Sequence, residues 1–215
     1  MANTTVLIQP NWDPAVIMTE QLVQIQNALA CDGAESSDFD LNPDLILPEG
    51  RKLRAASVMV PLIKRERGLS IMLTKRASHL KHHPGQISFP GGKVEPTDKN
   101  GWDAARREAY EEIALPYGHP KQLGTLSSHE TVTGFVVTPF VALIEDPFTP
   151  IADPGEVEEI FEVPLQAVTD LDRFSIQYRM WKGQKRKYYT VPWGQYYIWG
   201  ATARILHGLA DRMHR

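Results

Sequence analysis

The sequence predicts an α+β fold, with helices layered on a mixed β-sheet. Strand-like and helix-like segments alternate without the regular βαβ order of a parallel sheet. A length of 215 residues suits one domain with a real core plus terminal extensions. Apolar residues make up 42% and charged residues 23%, as in ordinary globular domains, which excludes a fibre or a disordered chain.

In chain order, residues 1–52 read as an N-terminal extension ahead of a domain spanning residues 53–215. Thr19 is placed to cap a helix running through about Ala30, with Leu22, Ile25 and Leu29 at helical spacing. The acidic, Ser- and Pro-bearing stretch from Asp32 to Gly50 reads as a loop. Ala56–Ile63 and Leu69–Leu73 are apolar and β-rich, and the turn-like Lys64–Gly68 makes them a hairpin. Gln86–Phe89 reads as a short strand and Trp102–Ala114 as a helix. The alternating stretch Thr131–Leu143 reads as one or two strands. Glu159–Val163 forms another, ended by Pro164. A last helix over about Tyr196–Met213 gathers Ile198, Ala201, Ile205, Leu206 and Leu209 near one face.

Several function classes are disfavoured at once. The formal net charge is −3, so no overall basic field favours nucleic acid. Cys31 is the single cysteine, which rules out an intrachain disulfide and a multi-cysteine zinc site, and points to the reducing cytoplasm. The start of the chain lacks a basic region followed by an apolar run, and no stretch approaches the roughly 20 apolar residues of a membrane span.

The segment that carries chemistry is Gly91-Gly92 through Leu115. On a helix, Glu108, Glu111 and Glu112 stand at i, i+3 and i+4, within an arc of roughly 100°. Three carboxylates there repel one another, and a hard divalent cation such as Mg²⁺ or Mn²⁺ relieves that repulsion. Arg107 is placed to brace one carboxylate in its ligating rotamer. Gly91 and Gly92 allow the backbone close to a metal or phosphate, and the Gly92 carbonyl is a candidate ligand. Upstream, Lys75, Arg76 and Lys81 form a basic loop suited to phosphates. His79, His82 and His83 share that loop, but their spacing fits no standard zinc pattern.

Gly92, five residues, Asp98, eight residues, then Arg107-Glu108-Ala109-Tyr110-Glu111-Glu112-Ile113-Ala114-Leu115 resembles the Nudix box. Asp98 stands for a glutamate, the second spacer is one residue longer, and Ala114 stands for a glycine. Leu73-Thr74-Lys75-Arg76-Ala77 through Phe89-Pro90-Gly91-Gly92 is similar to the signature of the coenzyme A pyrophosphatase branch, with Lys81 where that branch usually has arginine. The likeness extends through Thr131–Phe135, Glu156-Val157 and Phe161–Leu165, and covers about residues 53–212.

The resemblance implies a Nudix α/β/α sandwich with a mixed sheet. It implies metal-dependent hydrolysis of the diphosphate of coenzyme A or its derivatives to 4′-phosphopantetheine and adenosine 3′,5′-bisphosphate. It makes Glu108, Glu111, Glu112 and Gly92 metal ligands, with Arg107 positioning the box and Glu156 or a box glutamate taking the proton. Arg76, Lys81 and Lys75, together with Gly134 and Phe135, become substrate contacts. Tyr188, Tyr189, Trp193 and Tyr196 remain open between stacking on adenine and forming core. Two rivals stand beside this reading: a Nudix pyrophosphatase for ADP-ribose or NADH, and a non-catalytic nucleotide-binding module. The extension is left as a pocket cover, a homodimer contact, or neither.

Overall fold

The structure, a computed structural model, describes residues 13–45, 50–181 and 183–215. Residues 1–12 and 46–49 of the extension therefore lie outside the described residues.

Helix α1 (Pro14–Ala30) starts five residues earlier than Thr19. Asp13 caps it, its carboxylate accepting from the Ala15 N–H at 2.9 Å. Pro14 sits in the first turn, where its missing N–H costs nothing. Thr19 lies inside the helix and donates its hydroxyl to the Ala15 carbonyl. Among its described residues, the loop expected from Asp32 to Gly50 contains one short strand, β1 (Ser36–Ser37).

The expected hairpin is present as β2 (Arg54–Arg65) and β3 (Gly68–Arg76), with Leu62 opposite Ile71 and Arg65 opposite Gly68. Gly68 has φ +111°, and a Cβ there would stand 2.6 Å from the Gln21 side-chain oxygen. That oxygen accepts from the buried Leu69 N–H at 2.7 Å, so glycine is what lets α1 dock on the turn. Next come β4 (Ile87–Ser88), β5 (Gly91–Lys93), α2 (Gly101–Ile113), β6 (Pro120–Thr125), β7 (His129–Glu130), β8 (Phe135–Ile144), β9 (Val157–Pro164) and the short α3 (Leu165–Thr169).

The main sheet is mixed. β8 lies parallel to β2 in register from Arg54↔Phe135 to Ile63↔Ile144, and β1 lies parallel to β7. The other pairings are antiparallel: β3 with β2, β4 and β9, β5 with β2, and β6 and β7 with β8. The two-residue period of its central strands sorts side chains onto two cores. Val60, Leu62, Ile71, Leu73, Val141 and Leu143 face one layer, which contains Ile25 and Ala28 of α1. Met59, Ile63, Met72, Phe140, Ala142 and Ile144 face the other, packed on Ala105, Ala109 and Ile113 of α2. The result is the expected α/β/α sandwich, with the acidic helix the only one on its face among the described residues.

The C-terminal region departs from expectation. Ser175–Trp181 and Gln184–Trp193 form strands β10 and β11, and Tyr196–Trp199 is strand β12, not the start of a helix. These three strands make a separate antiparallel sheet. Gly200, with φ +67°, breaks the chain, and helix α4 runs only over Ala201–Met213. Ile198 therefore reaches the core from a strand, while Ile205, Leu206 and Leu209 reach it from α4 beside α1.

Residues 36–42 tie the sheets together. His129 is fully buried. Its Nε2 hydrogen-bonds to the Asp38 carboxylate (3.2 Å) and its Nδ1 to the Ser36 hydroxyl (3.0 Å). Asn42 donates to the Lys187 carbonyl and accepts from the Lys187 N–H, at 2.9 and 2.8 Å. Part of the extension thus packs on the body of its own chain.

Candidate active site

Asn100 caps α2, its side chain accepting from the Asp103 N–H. At the other end Ala114 adopts the left-handed conformation, φ 55° and ψ 31°. The Ala114 N–H donates to the Tyr110 carbonyl at 3.0 Å and the N–H of the buried Leu115 donates to the Ala109 carbonyl, so the helix ends in a left-handed cap. The position where the family box has glycine is thus conformationally special, and alanine occupies it at a cost of about 1 kcal/mol.

Arg107 organises the acidic face. Its Nε and one terminal nitrogen both donate to Asp98 at 3.0 Å, and that terminal nitrogen also reaches the Lys93 carbonyl. The other terminal nitrogen bridges Glu108 at 2.9 Å and Glu111 at 3.0 Å. Asp98 is 4% exposed in its side chain, and Arg107 holds its carboxyl below the usual range. Asp98 therefore braces the arginine despite its shorter side chain and the longer spacer.

Glu112 lies deepest, 4% exposed, and accepts from the Gly91 N–H at 3.1 Å. Burial pushes its carboxyl up to about 8, helped by the charges of Glu108 and Glu156 and opposed by the Gly91 N–H and by Arg76. Burial also raises Glu108, against the pull of Arg107. Gly92 lies against Glu108: a Cβ there would stand 2.5 Å from the carboxylate.

Glu156 comes from the loop before β9. That loop is fastened to the end of α2 by the Ile151 N–H on the Ile113 carbonyl and the Asp153 N–H on the Glu112 carbonyl. The Ala77 N–H in turn donates to the Glu156 carbonyl, linking this loop to the basic signature. Glu156 is exposed, and its charge acts on both Glu108 and Glu112.

The basic residues divide. Arg76 is half-buried and its charge reaches Glu112. Lys75 is paired with Glu158 at 2.6 Å, and Glu158 also accepts from the Ser78 N–H. Lys81 is exposed on the loop. Gly134 and Phe135 open β8 opposite Arg54, three residues along β2 from Ser57, which opposes Gly92. With β5 and β8 on opposite sides of β2, that spacing puts them about 14 Å from the glycine loop. The Phe135 ring is covered by the Arg54 guanidinium at 4.0 Å. Of the four aromatics left open, Tyr196 stacks on Phe161 with ring centroids 3.6 Å apart, and its hydroxyl donates to Glu159. Tyr189 packs on His207.

Among the described residues no three His, Cys, Asp or Glu side chains already form a metal-holding cluster. Arg107 holds Glu108 and Glu111, and the Gly91 N–H holds Glu112. By donor chemistry the set fits a hard cation. It offers carboxylate oxygens, with burial disfavouring the charged forms of Glu108 and Glu112, beside a glycine that leaves room next to Glu108.

Sequence reasoning missed the β10–β12 sheet, which brings Arg179 to within electrostatic reach of His83 in the signature loop. The alternation of Ile176, Tyr178 and Met180 was its signal.

The NUDIX domain family model matches residues 53–186. A protein of Enterobacter sp. (strain 638) described as "uncharacterized Nudix hydrolase NudL" is 40% identical over 157 residues, covering 73% of this chain and 81% of the relative. One of Escherichia coli (strain K12) with the same description is 36% identical over 174 residues, covering 81% and 90%. Among solved structures, a C. elegans Ap4A hydrolase binary complex is 20% identical with a TM-score of 0.46, covering 55% of this chain and 85% of that one. The NUDIX domain of Shewanella oneidensis NrtR complexed with ADP ribose is 19% identical with a TM-score of 0.45, covering 61% and 82%. Among the described residues no helix is long and apolar enough to cross a membrane. With the family model spanning the sheet and the acidic helix, and relatives of such identity over most of its length, the chain belongs to the Nudix hydrolases, enzymes that cleave diphosphate bonds in nucleoside diphosphate derivatives.

Proposed function

We propose that the protein hydrolyses the diphosphate bond of coenzyme A or its derivatives, giving 4′-phosphopantetheine, or its acyl form, and adenosine 3′,5′-bisphosphate. The supporting observation is the convergence of Glu108, Glu111, Glu112 and Glu156 beside Gly91-Gly92, with the charge of Arg76 reaching into them. Carboxylates from two separate segments and a cation share one small region next to an open backbone loop. That is the balance a site needs to hold a divalent cation and an anionic diphosphate together.

Glu108, Glu111 and Glu112, with the Gly92 carbonyl, would hold Mg²⁺ or Mn²⁺. Bound there, the ion supplies Lewis-acid polarisation of phosphoryl oxygens. Arg107 positions the box: its two bridges fix Glu108 and Glu111, and Asp98 fixes Arg107. Glu156 is exposed and its charge acts on the half-buried Glu108 and the buried Glu112, which suits it to accept the proton of the attacking water. Arg76 and Lys81 stabilise phosphate charge, Lys81 as a point charge without the bidentate geometry of arginine. Lys75 supports this loop through Glu158. Gly134 and Phe135 shape the more distant part of the pocket.

A substrate panel tests the reading. Purified protein with Mg²⁺ or Mn²⁺ should show a higher kcat/KM for coenzyme A than for ADP-ribose or NADH. A preference for either of the latter would keep the metal site and reject the substrate.

A further inference from the structure

The small β10–β12 sheet presents one face that neither the core nor the carboxylate site uses. Its register puts Gln177 opposite Tyr188 and Arg179 opposite Arg186. Across β11 and β12, Thr190 lies opposite Trp199. Because side chains alternate across a strand, Arg179, Arg186, Tyr188 and Trp199 share one face. The contacts agree. The Arg179 guanidinium sits 4.5 Å from the Trp199 ring centroid, and the Tyr188 and Trp199 rings are 5.1 Å apart.

Two features of this face call for an anion. Arg179 and Arg186 are like charges directly opposite on antiparallel strands, an arrangement that destabilises a sheet. Asp38 is the carboxylate whose charge acts on Arg186. The wider segment is basic: from Leu171 to Gly200 the sequence has six Lys or Arg against one Asp, in a chain of net charge −3. The face also offers aromatic surface. A guanidinium over an indole beside a phenol ring is a platform on which a nucleobase stacks, with cations at its edge for a phosphate.

The platform adjoins the reaction region through the signature loop. Arg179 acts electrostatically on His83, as does Arg76, and Arg76 acts on Glu112. The backbone agrees: Thr202, two residues after Gly200, donates to the Ile87 carbonyl of β4, just after that loop. Arg76 and Arg179 thus both act on the signature loop, Arg76 also on the buried Glu112 and Arg179 from the aromatic face.

We propose that the Arg179–Tyr188–Trp199 face of the β10–β12 sheet binds the phosphorylated adenosine end of the substrate, stacking the base and holding the phosphate remote from the scissile diphosphate. This rests on the coenzyme A reading for the identity of the substrate. The face gives that reading a source of selectivity, because ADP-ribose and NADH carry no phosphate at the adenosine 3′ position.

Two measurements on Arg179→Gln and Trp199→Leu keep the two proposals separable. The first is the ratio of KM for 3′-dephospho-coenzyme A to KM for coenzyme A. Wild-type protein should prefer coenzyme A, and Arg179→Gln should erase that preference by raising the coenzyme A KM on the order of tenfold, the scale of one hydrogen bond to a charged group. An unchanged ratio in Arg179→Gln overturns the proposal even if coenzyme A is cleaved well.

The second is calorimetric binding of adenosine 3′,5′-bisphosphate and of 5′-AMP without metal, which does not depend on turnover. Weaker binding of the bisphosphate to Arg179→Gln, and of both nucleotides to Trp199→Leu, supports the platform even in a protein that cleaves no coenzyme A. Equal binding to wild type and variants overturns it. So does unchanged nucleotide binding together with weaker binding of oligodeoxyadenylate, titrated in parallel, which would make this face a nucleic-acid surface.

Discussion

Glu112→Gln should stabilise the metal-free protein and abolish its activity. Glu112 is buried, its carboxyl is pushed up to about 8, and it accepts a hydrogen bond from the Gly91 N–H. Between the ordinary value of 4.5 and about 8, the folded state keeps a proton that the unfolded chain has lost. Stability therefore falls as pH rises through that window. At about 1.36 kcal/mol per pH unit, the loss approaches a ceiling of about 5 kcal/mol. Glutamine has the same shape, keeps an oxygen for the Gly91 N–H, and has no charge to desolvate. Urea denaturation in EDTA at about pH 5 and about pH 8.5 reads the difference. The wild type should lose several kcal/mol more than the variant across that interval, and at the higher pH the variant should melt higher by about 4–8 °C for each 2 kcal/mol gained. Saturating Mn²⁺ should raise the wild-type melting temperature and leave the variant nearly unmoved. Turnover should fall at least about a hundredfold. Parallel pH dependence in the two proteins, or near-normal turnover in the variant, would refute the assignment of Glu112 as a buried ligand kept charged by a cation.

Arg107→Lys should keep one contact where arginine makes a bidentate pair with Asp98 and two carboxylate bridges. The expected loss is about 3 kcal/mol in denaturant unfolding and at least about tenfold in kcat. Ala114→Gly should raise stability by up to about 1 kcal/mol, because glycine adopts φ 55° without strain, offset in part by its greater freedom when unfolded. A loss of stability by denaturation would show that the alanine methyl is needed for packing. His207 sits among Phe174, Tyr189 and Arg204, and burial with the Arg204 charge lowers its pKa. Below about 6.5 the unfolded chain takes up a proton that the folded one resists, so stability falls as pH drops there. His207→Gln should lessen that slope, as read by melting curves between about pH 5 and 7.

The acidic helix could be read in the sequence because its chemistry is local. Glu108, Glu111 and Glu112 meet through helical spacing alone, and Arg107 is adjacent. The approach of Glu156 was not local. It depends on hydrogen bonds from Ile151 and Asp153 to carbonyls of Ile113 and Glu112, some forty residues earlier, and such backbone bonds leave no side-chain signature. The two misplaced helix starts have separate causes. At Thr19 a good capping residue stood inside a helix already begun by Asp13 and Pro14, and its hydroxyl bonds back along the helix instead. At Tyr196–Trp199 a strand runs into a helix across Gly200. Ile198 fits the helical stripe of Ala201 and Ile205, so periodicity alone joined the two. In β10 the alternation was present, but its apolar members Ile176, Tyr178 and Met180 face solvent, and an exposed apolar face does not resemble a core strand.

The central claim is that the glutamate cluster cuts a phosphate–phosphate bond of coenzyme A, and product analysis in oxygen-18 water tests it most directly. Mass spectrometry of a reaction with Mg²⁺ or Mn²⁺ should find 4′-phosphopantetheine and adenosine 3′,5′-bisphosphate in equal amounts, with one labelled oxygen on one of the two products and no turnover in EDTA. Label in a product of any other bond cleavage, or no metal-dependent product, would contradict it.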